Sequence, residues 1–162
     1  MSAAEIFNHG ITELNLGNSK KALFLFNKVL ESVPNHVDAL IKKANILGKF
    51  GKYVDAISIY DKVIKIEPQN ALALVNKGLA LHYLARYEEA IACFDEVLKI
   101  KSNSTTALYN KSSSLAKQGN IKDSLEALES AIKIDHSFKY KARFDVDFEH
   151  IKTNNDFKRL VL

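Results

Sequence analysis

One pattern of small, aromatic and aliphatic residues recurs four times in this 162-residue chain, at a spacing of 34 residues. The recurring positions are Ala22, Ala56, Ala90 and Ser124; Phe26, Tyr60, Phe94 and Leu128; Val29, Val63, Val97 and Ala131; and, at a turn, Gly17, Gly51, Ala85 and Gly119. A fixed period of this size indicates stacked supersecondary units that bury their apolar faces against one another. We therefore expect a binding scaffold and not a chain folded around a catalytic pocket.

Each repeat divides into two helical segments of about 13 residues. In the second repeat, apolar residues recur at helical spacing over residues 40–47 and 56–66, and Gly51 lies between the two runs. Pro34 and Pro68 follow the second segment of their repeats, where a proline cannot continue a helix. The sequence therefore predicts four helical hairpins.

Small residues also recur in the middle of the first helix of each repeat, at Gly10, Ala44, Gly78 and Ser112. Where two antiparallel helices cross closely, a large side chain at the contact would push their axes apart. We expect the aromatic side chain of the second helix, such as Phe26, to fill the volume beside this contact.

Two repeats carry a full set of diagnostic residues. The second has Ala44, Gly51, Tyr53, Ala56, Tyr60, Val63 and Pro68, and the third has Gly78, Leu81, Tyr87, Ala90, Phe94 and Val97. Both resemble the tetratricopeptide repeat. The resemblance implies an all-α superhelix of four helix-turn-helix hairpins in a single domain of residues 1–162, with repeats at about residues 3–36, 37–70, 71–104 and 105–138. It also indicates a small prokaryotic protein.

The chain departs from the family pattern at several positions. Ser19 and Ile121 replace an aromatic residue after the turn, Ser124 replaces the small alanine, and the family's early tryptophan is replaced by Ile6, Leu40, Leu74 and Leu108. The positions that replace the tryptophan are core positions that tolerate changes in volume, so the expected fold is unchanged.

Residues 139–162 leave the 34-residue period but keep apolar residues at helical spacings. Asp145 and Asp147 have the character of cap and first-turn residues of one short helix, and Asn154 or Asn155 of another. A solenoid needs an end segment that covers its last hydrophobic face. We interpret the segment as a cap, and a partner-docking helix is the alternative.

The resemblance implies that the first helix of each repeat lines a concave groove. Two residues before the small residue, the chain has Asn8, Lys42, Asn76 and Asn110. An exposed amide offers donors and an acceptor, so such a row can pair with successive peptide groups of an extended chain. The alternative is that asparagine is a tolerated residue on a solvated face.

Several neighbouring groove positions are apolar, and contiguous exposed apolar surface marks contact sites. The apolar candidates for side-chain pockets are Phe7, Ile11, Val75, Leu79, Tyr83 and Tyr109, and the lysines at 42, 49, 77 and 117 add a mild positive bias. The alternative is that some of the apolar groove residues, Ile41 and Val75 foremost, pack under neighbouring helices. The predicted peptide-binding site comprises Phe7, Asn8, Ile11, Lys42, Asn45, Asn76, Leu79, Tyr83, Tyr109, Asn110 and Lys117.

Chaperone-binding members of the family grip a C-terminal carboxylate with lysine, asparagine and arginine side chains. The matching positions here are occupied by Phe7 and Ile11, Lys42, and Leu72 and Asn76. Because that clamp is missing, we do not expect recognition of a chaperone C-terminus.

Composition and motifs exclude other function classes. The net charge of +4 is dispersed, without the dense basic run that would neutralise a nucleic-acid backbone. There is no uncharged apolar run near 18 residues, so we expect no contact with a membrane. There is no N-terminal signal pattern, and Cys93 is the sole cysteine, so we expect a cytoplasmic protein. His9 and Glu13 form only a two-ligand fragment, and no phosphate loop or nucleophile elbow occurs. We predict no metal, no cofactor and no enzymatic activity.

These observations favour a cytoplasmic adaptor that binds an extended or helical peptide of a partner protein. The alternative is a homo-oligomeric structural protein that uses groove or end surfaces to self-associate. RNA binding is a third hypothesis, and the dispersed charge speaks against it.

Overall fold

The computed structural model describes all 162 residues, and its regular structure is entirely helical. The helices are α1 (Ala3–Asn15), α2 (Ser19–Ser32), α3 (Val37–Lys49), α4 (Tyr53–Ile66), α5 (Ala71–Tyr83), α6 (Tyr87–Ile100), α7 (Thr105–Gln118), α8 (Ile121–Ile134), α9 (Ser137–Phe144), a 3-10 helix (Val146–Ile151) and α10 (Asn155–Val161). Each of the four predicted repeats contains one helix pair, with helices of 13 or 14 residues. None of these helices is both long and apolar enough to span a lipid bilayer.

The chain forms two compact units, unit 1 (residues 1–80) and unit 2 (residues 81–162), and α5 contributes to both. The core of unit 1 is built around Phe26 and Tyr60, which are buried among the small and aliphatic side chains of the repeat pattern. The core of unit 2 includes Leu128 together with Phe148 and Phe157 of the C-terminal segment. The buried positions of the 34-residue pattern therefore supply the core in both units.

The predicted contact between a small and an aromatic residue is confirmed in the first hairpin. A Cβ atom added at Gly10 would lie 2.7 Å from Cε1 of Phe26, whose side chain is fully buried. Any larger residue at position 10 would force the ring or the helices to move.

The fourth hairpin has serines at both small positions, and they bond across the helix crossing. The Ser112 hydroxyl donates to the Ser124 carbonyl oxygen (2.7 Å), and the Ser124 hydroxyl donates to the Ser112 carbonyl oxygen (2.8 Å). Both side chains are fully buried, so each hydroxyl needs the acceptor that the opposite helix provides. Serine therefore replaces alanine here without leaving an unsatisfied polar group.

The turn between the helices of each hairpin uses the left-handed region of backbone conformation. The values of φ are +81° at Gly17, +75° at Gly51, +57° at Ala85 and +90° at Gly119. Ala85 is the one non-glycine residue of the chain with positive φ. This conformation costs an L-residue about 1–2 kcal/mol, so the third hairpin contains a strained turn.

We expect Ala85→Gly to stabilise the protein by about 0.5–1 kcal/mol, because relief of the left-handed strain exceeds the entropy that glycine loses on folding. Gly51→Ala should destabilise it by about 1 kcal/mol for the same reason. Gly48→Ala, inside α3 with open space around the new methyl group, is the matched control and should be stabilising. Thermal unfolding followed by circular dichroism measures all three, and a stabilising Gly51→Ala would contradict this explanation.

The C-terminal segment covers apolar surface within unit 2. Asp145 caps the 3-10 helix by accepting a hydrogen bond from the Asp147 amide, and Asn154 caps α10 by accepting from the amides of Asp156 and Phe157. Phe148, Phe157 and other apolar residues of the segment join the core that α7 and α8 form. The predicted capping segment is confirmed, and its two capping residues lie where the sequence indicated.

Candidate functional site

Two asparagine side chains on the first helices of unit 1 are hydrogen-bonded to each other. Oδ1 of the exposed Asn45 on α3 accepts hydrogen bonds from the Tyr60 hydroxyl (2.5 Å) and from Nδ2 of Asn76 on α5 (2.9 Å). Burial raises the pKa of Tyr60, so its hydroxyl remains a donor at neutral pH. Because two donors meet at one oxygen, the orientation of the Asn45 amide is fixed.

This arrangement leaves polar atoms directed away from the bonds within the chain. Nδ2 of Asn45 and Oδ1 of Asn76 make no hydrogen bond to the protein. A backbone peptide group needs one acceptor for its N–H and one donor for its C=O. The Asn45–Asn76 pair offers both, in an orientation that is set before a partner binds.

The 34-residue pattern groups Asn76 with Asn8 and Asn110, whereas in the structure Asn76 bonds to Asn45. Asn8 is exposed, and its carbonyl oxygen accepts a hydrogen bond from the Thr12 hydroxyl. The pairing with Asn45 follows from a contact between neighbouring repeats, 31 residues apart. A search along one phase of the repeat does not reveal such a contact.

The apolar candidates of unit 1 are only partly accessible. Phe7 packs against the rings of Phe26 (5.5 Å between centroids) and His36 (4.9 Å), and Ile11 packs against the same core. Leu79 and Val75 are half-buried, and Ile41 is buried, which agrees with the alternative for that residue. Phe7, Ile11 and Leu79 can therefore contribute an apolar rim but no deep side-chain pocket.

The lysines of unit 1 differ in their surroundings. Nζ of Lys77 lies 2.6 Å from the Asp61 carboxylate, and Nζ of Lys49 donates to the Ser19 hydroxyl at 3.4 Å. Lys42 is half-buried and makes no hydrogen bond or ion pair within the chain. It is thus the predicted site lysine of unit 1 whose charge has no internal partner.

In unit 2, the structure corrects the prediction for Tyr109. Its side chain is only 1% exposed, lies against the rings of Phe138 and Phe148, and donates a hydrogen bond from its hydroxyl to Asp145 (2.6 Å). The C-terminal segment covers it, so it is not accessible to a partner. Tyr83 and Lys117 are exposed and Asn110 is half-buried.

A polar cluster that the sequence pattern does not reveal joins His82, Ser113, Ser114 and Asp147 in unit 2. Nε2 of His82 lies 3.0 Å from the Asp147 carboxylate, Nδ1 of His82 lies 2.9 Å from the Ser114 hydroxyl, and the Ser113 hydroxyl donates to the same Asp147 oxygen (2.5 Å). The residue types are those of a hydrolytic triad, but Ser114 is fully buried, so no substrate carbonyl can reach its hydroxyl. The cluster attaches the 3-10 helix to α7.

The His9–Glu13 pair, the two-ligand fragment noted in the sequence, is engaged in hydrogen bonds and ion pairs within the chain. The Glu13 carboxylate contacts Nζ of Lys21 (2.5 Å), Nδ2 of Asn18 (2.8 Å) and Nε2 of His9 (3.2 Å). The Lys21 hydrogen bond is the main reason that the pKa of Glu13 is lowered to about 2, and the Asn18 hydrogen bond acts in the same direction. No group of three or more histidine, cysteine or acidic side chains is placed to hold a metal ion.

The helix pairs, their 34-residue spacing and the polar face on the first helices define a helical-hairpin repeat protein. The family model described as "Anaphase-promoting complex, cyclosome, subunit 3" matches residues 15–97, and the model described as "Tetratricopeptide repeat" matches residues 75–137. The chain belongs to the tetratricopeptide repeat family. Proteins of this family are typically non-catalytic scaffolds for protein interaction. No curated protein sequence matches the chain significantly.

Solved structures of the same fold cover nearly the whole chain. "MamA 41-end from Desulfovibrio magneticus RS-1" is 21% identical, with a TM-score of 0.84 over 98% of this chain and 88% of that one. "Crystal structure of MamA" is 21% identical, with a TM-score of 0.81 over 94% of this chain and 90% of that one. YrrB, titled "a TPR protein with an unusual peptide-binding site", is 16% identical, with a TM-score of 0.77 over 98% of this chain and 82% of that one. These similarities confirm the all-α tetratricopeptide solenoid as the fold.

Proposed function

We propose that this protein is an interaction scaffold that binds an extended or helical peptide segment of a partner protein on the first helices of unit 1. The observation that carries the proposal is the Asn45–Asn76 pair, whose orientation the Tyr60 hydroxyl fixes. A pre-oriented donor and acceptor lose little entropy when a peptide group binds. YrrB, which shares the fold, is described as having a peptide-binding site, and this supports a peptide ligand here.

The other predicted site residues contribute in different ways to the proposed binding surface. Phe7, Ile11 and Leu79 provide apolar contact beside the amide pair, and Asn8 adds a further exposed amide. In unit 2, Tyr83, Asn110 and Lys117 are accessible in part or in full, whereas Tyr109 is left out because it is buried. A cytoplasmic location remains a prediction of the sequence.

The test is the affinity of peptides selected on the protein itself. Twelve-residue peptides from an unbiased display library are selected against the wild-type chain, and their affinities are measured by fluorescence polarisation. Two lost hydrogen bonds, each worth about 0.5–1.5 kcal/mol, correspond to a loss of about 5- to 150-fold. We expect a loss of that size for the double variant Asn45→Ala/Asn76→Ala.

The matched control is Asn35→Ala/Asn103→Ala, which removes two exposed loop amides. Circular dichroism melts establish that both double variants fold. If the two variants bind the selected peptides equally well, the proposed site is wrong. Light scattering at high concentration tests the alternative that the protein self-associates. A stable dimer formed equally by wild type and by Asn45→Ala/Asn76→Ala would support that alternative.

A further inference from the structure

We infer that the peptide recognised by unit 1 carries an acidic side chain, which pairs with Lys42 beside the peptide group held by Asn45 and Asn76. This inference rests on the proposed function and specifies the chemistry of its ligand. It commits to a carboxylate within the partner segment and not to the carboxylate at the end of a chain.

The position of Lys42 is the first reason. Lys42 and Asn45 are three residues apart on α3, so their side chains emerge from the same face of that helix. Asn45 bonds directly to Asn76, so the lysine, the amide pair and α5 border one surface of unit 1. A bound peptide that reaches the amide pair therefore passes within reach of the Lys42 side chain.

The lack of an internal partner is the second reason. Lys77 pairs with Asp61 at 2.6 Å, and Lys62 donates to the Pro34 carbonyl oxygen at 2.7 Å. Lys42 is half-buried and has neither kind of contact. A carboxylate of a bound peptide would give the Lys42 ammonium group the ion-pair partner that the chain itself does not provide.

The distribution of acidic residues is the third reason. α5 contains no acidic residue, and the single acidic residue of α3, Asp38, lies in its first turn. On α1, Glu5 accepts from the Ser2 amide and Glu13 is held by Lys21. Asp38 lies one turn before Lys42 on α3 but forms no ion pair with it, and Asp61 of α4, the helix that provides Tyr60, is paired with Lys77. The unpaired charge of Lys42 beside the amide pair complements an acidic peptide.

One lysine also limits the kind of acidic ligand. A terminal carboxylate clamp combines several cationic and amide side chains, and the corresponding positions include Phe7, Ile11 and Leu72. Lys42 alone supplies one point charge at the edge of a directional amide pair. That combination fits one aspartate or glutamate side chain adjacent to a recognised peptide group.

The experiment uses the peptides selected above that lose affinity in Asn45→Ala/Asn76→Ala. We expect these peptides to share an aspartate or glutamate at one fixed position, and Lys42→Met to weaken them about fivefold. The same peptides with that residue changed to asparagine or glutamine should bind wild type and Lys42→Met equally. Lys65→Met on α4 removes the same charge from unit 1 and should leave affinity unchanged.

The outcomes separate this inference from the function on which it rests. Peptides that depend on the asparagine pair but lack a shared acidic residue would overturn the inference and leave the proposed function standing. Equal weakening of acidic and amide peptides by Lys42→Met would overturn it as well. If single-stranded RNA of mixed sequence binds as tightly as the acidic peptides and depends on Lys42 in the same way, the ligand class is wrong. If no selected peptide depends on Asn45 and Asn76, the proposed function itself fails.

Discussion

Phe148→Ala is expected to lower the free energy of unfolding by about 3–5 kcal/mol, the range for truncating a fully buried phenylalanine. The Phe148 side chain is completely buried and contacts the rings of Tyr109 (5.7 Å between centroids) and Phe157 (5.6 Å). The variant would leave a cavity at the centre of the unit 2 core, where the C-terminal segment meets α7. Denaturant unfolding followed by circular dichroism measures the change.

Phe144→Ala is the matched control, because Phe144 lies four residues earlier in the same segment and its side chain is 62% exposed. Its effect should stay within about 0.5 kcal/mol. Similar losses of stability for the two variants would contradict the conclusion that the buried Phe148 side chain holds the C-terminal segment in the unit 2 core. A Phe148→Ala variant as stable as wild type would contradict it more strongly.

Asp147→Ala is expected to destabilise the protein by about 2–3 kcal/mol. The substitution removes the common acceptor of His82 and the Ser113 hydroxyl, and both of those side chains are buried. A buried donor left without an acceptor costs about 1–3 kcal/mol. Glu149→Ala, which removes an exposed ion pair with Lys152 from the same 3-10 helix, is the control and should have little effect.

The same contacts give a pH dependence with a definite sign. The His82 hydrogen bond is the main reason that the pKa of Asp147 lies below its ordinary value of 3.8, the Ser113 hydrogen bond acts in the same direction, and burial opposes both. A carboxyl whose pKa is lowered in the folded state stabilises the protein at pH values above its ordinary pKa. That stabilisation is lost as the pH falls through the pKa of the folded state. Wild type should therefore lose more stability than Asp147→Asn when the pH is lowered below about 4. Parallel stability curves for the two proteins would contradict this link.

Much of the fold could be predicted because buried positions repeat at a constant phase. Gly10 must be small because the Phe26 ring lies against it, and the turn positions require positive φ in every hairpin. Constraints of this kind act within one hairpin. Because the chain contains four copies of the hairpin, the same residue types recur at the constrained positions and reveal them. The chemistry of Ser112 and Ser124 was less apparent, since their reciprocal hydrogen bonds depend on how closely two helices cross.

The site could be predicted only in part, because its decisive contacts join different repeats or lie outside the period. Asn45 gains its role from Tyr60 and from Asn76 of the next repeat, and no single phase of the pattern contains all three. Tyr109 has the phase of a groove residue, yet the non-repeating C-terminal segment buries it through Asp145. The register of that segment on α7 depends on tertiary packing, which the 34-residue period does not encode.

The most direct test of the central claim is a nuclear magnetic resonance titration of the 15N-labelled protein with a peptide selected on the wild-type chain. If unit 1 binds peptides as we propose, the side-chain amide signals of Asn45 and Asn76 shift early and saturably, together with backbone amides of α3 and α5. Shifts confined to α2, α4 or unit 2, with both side-chain amides unchanged at saturation, would contradict the account.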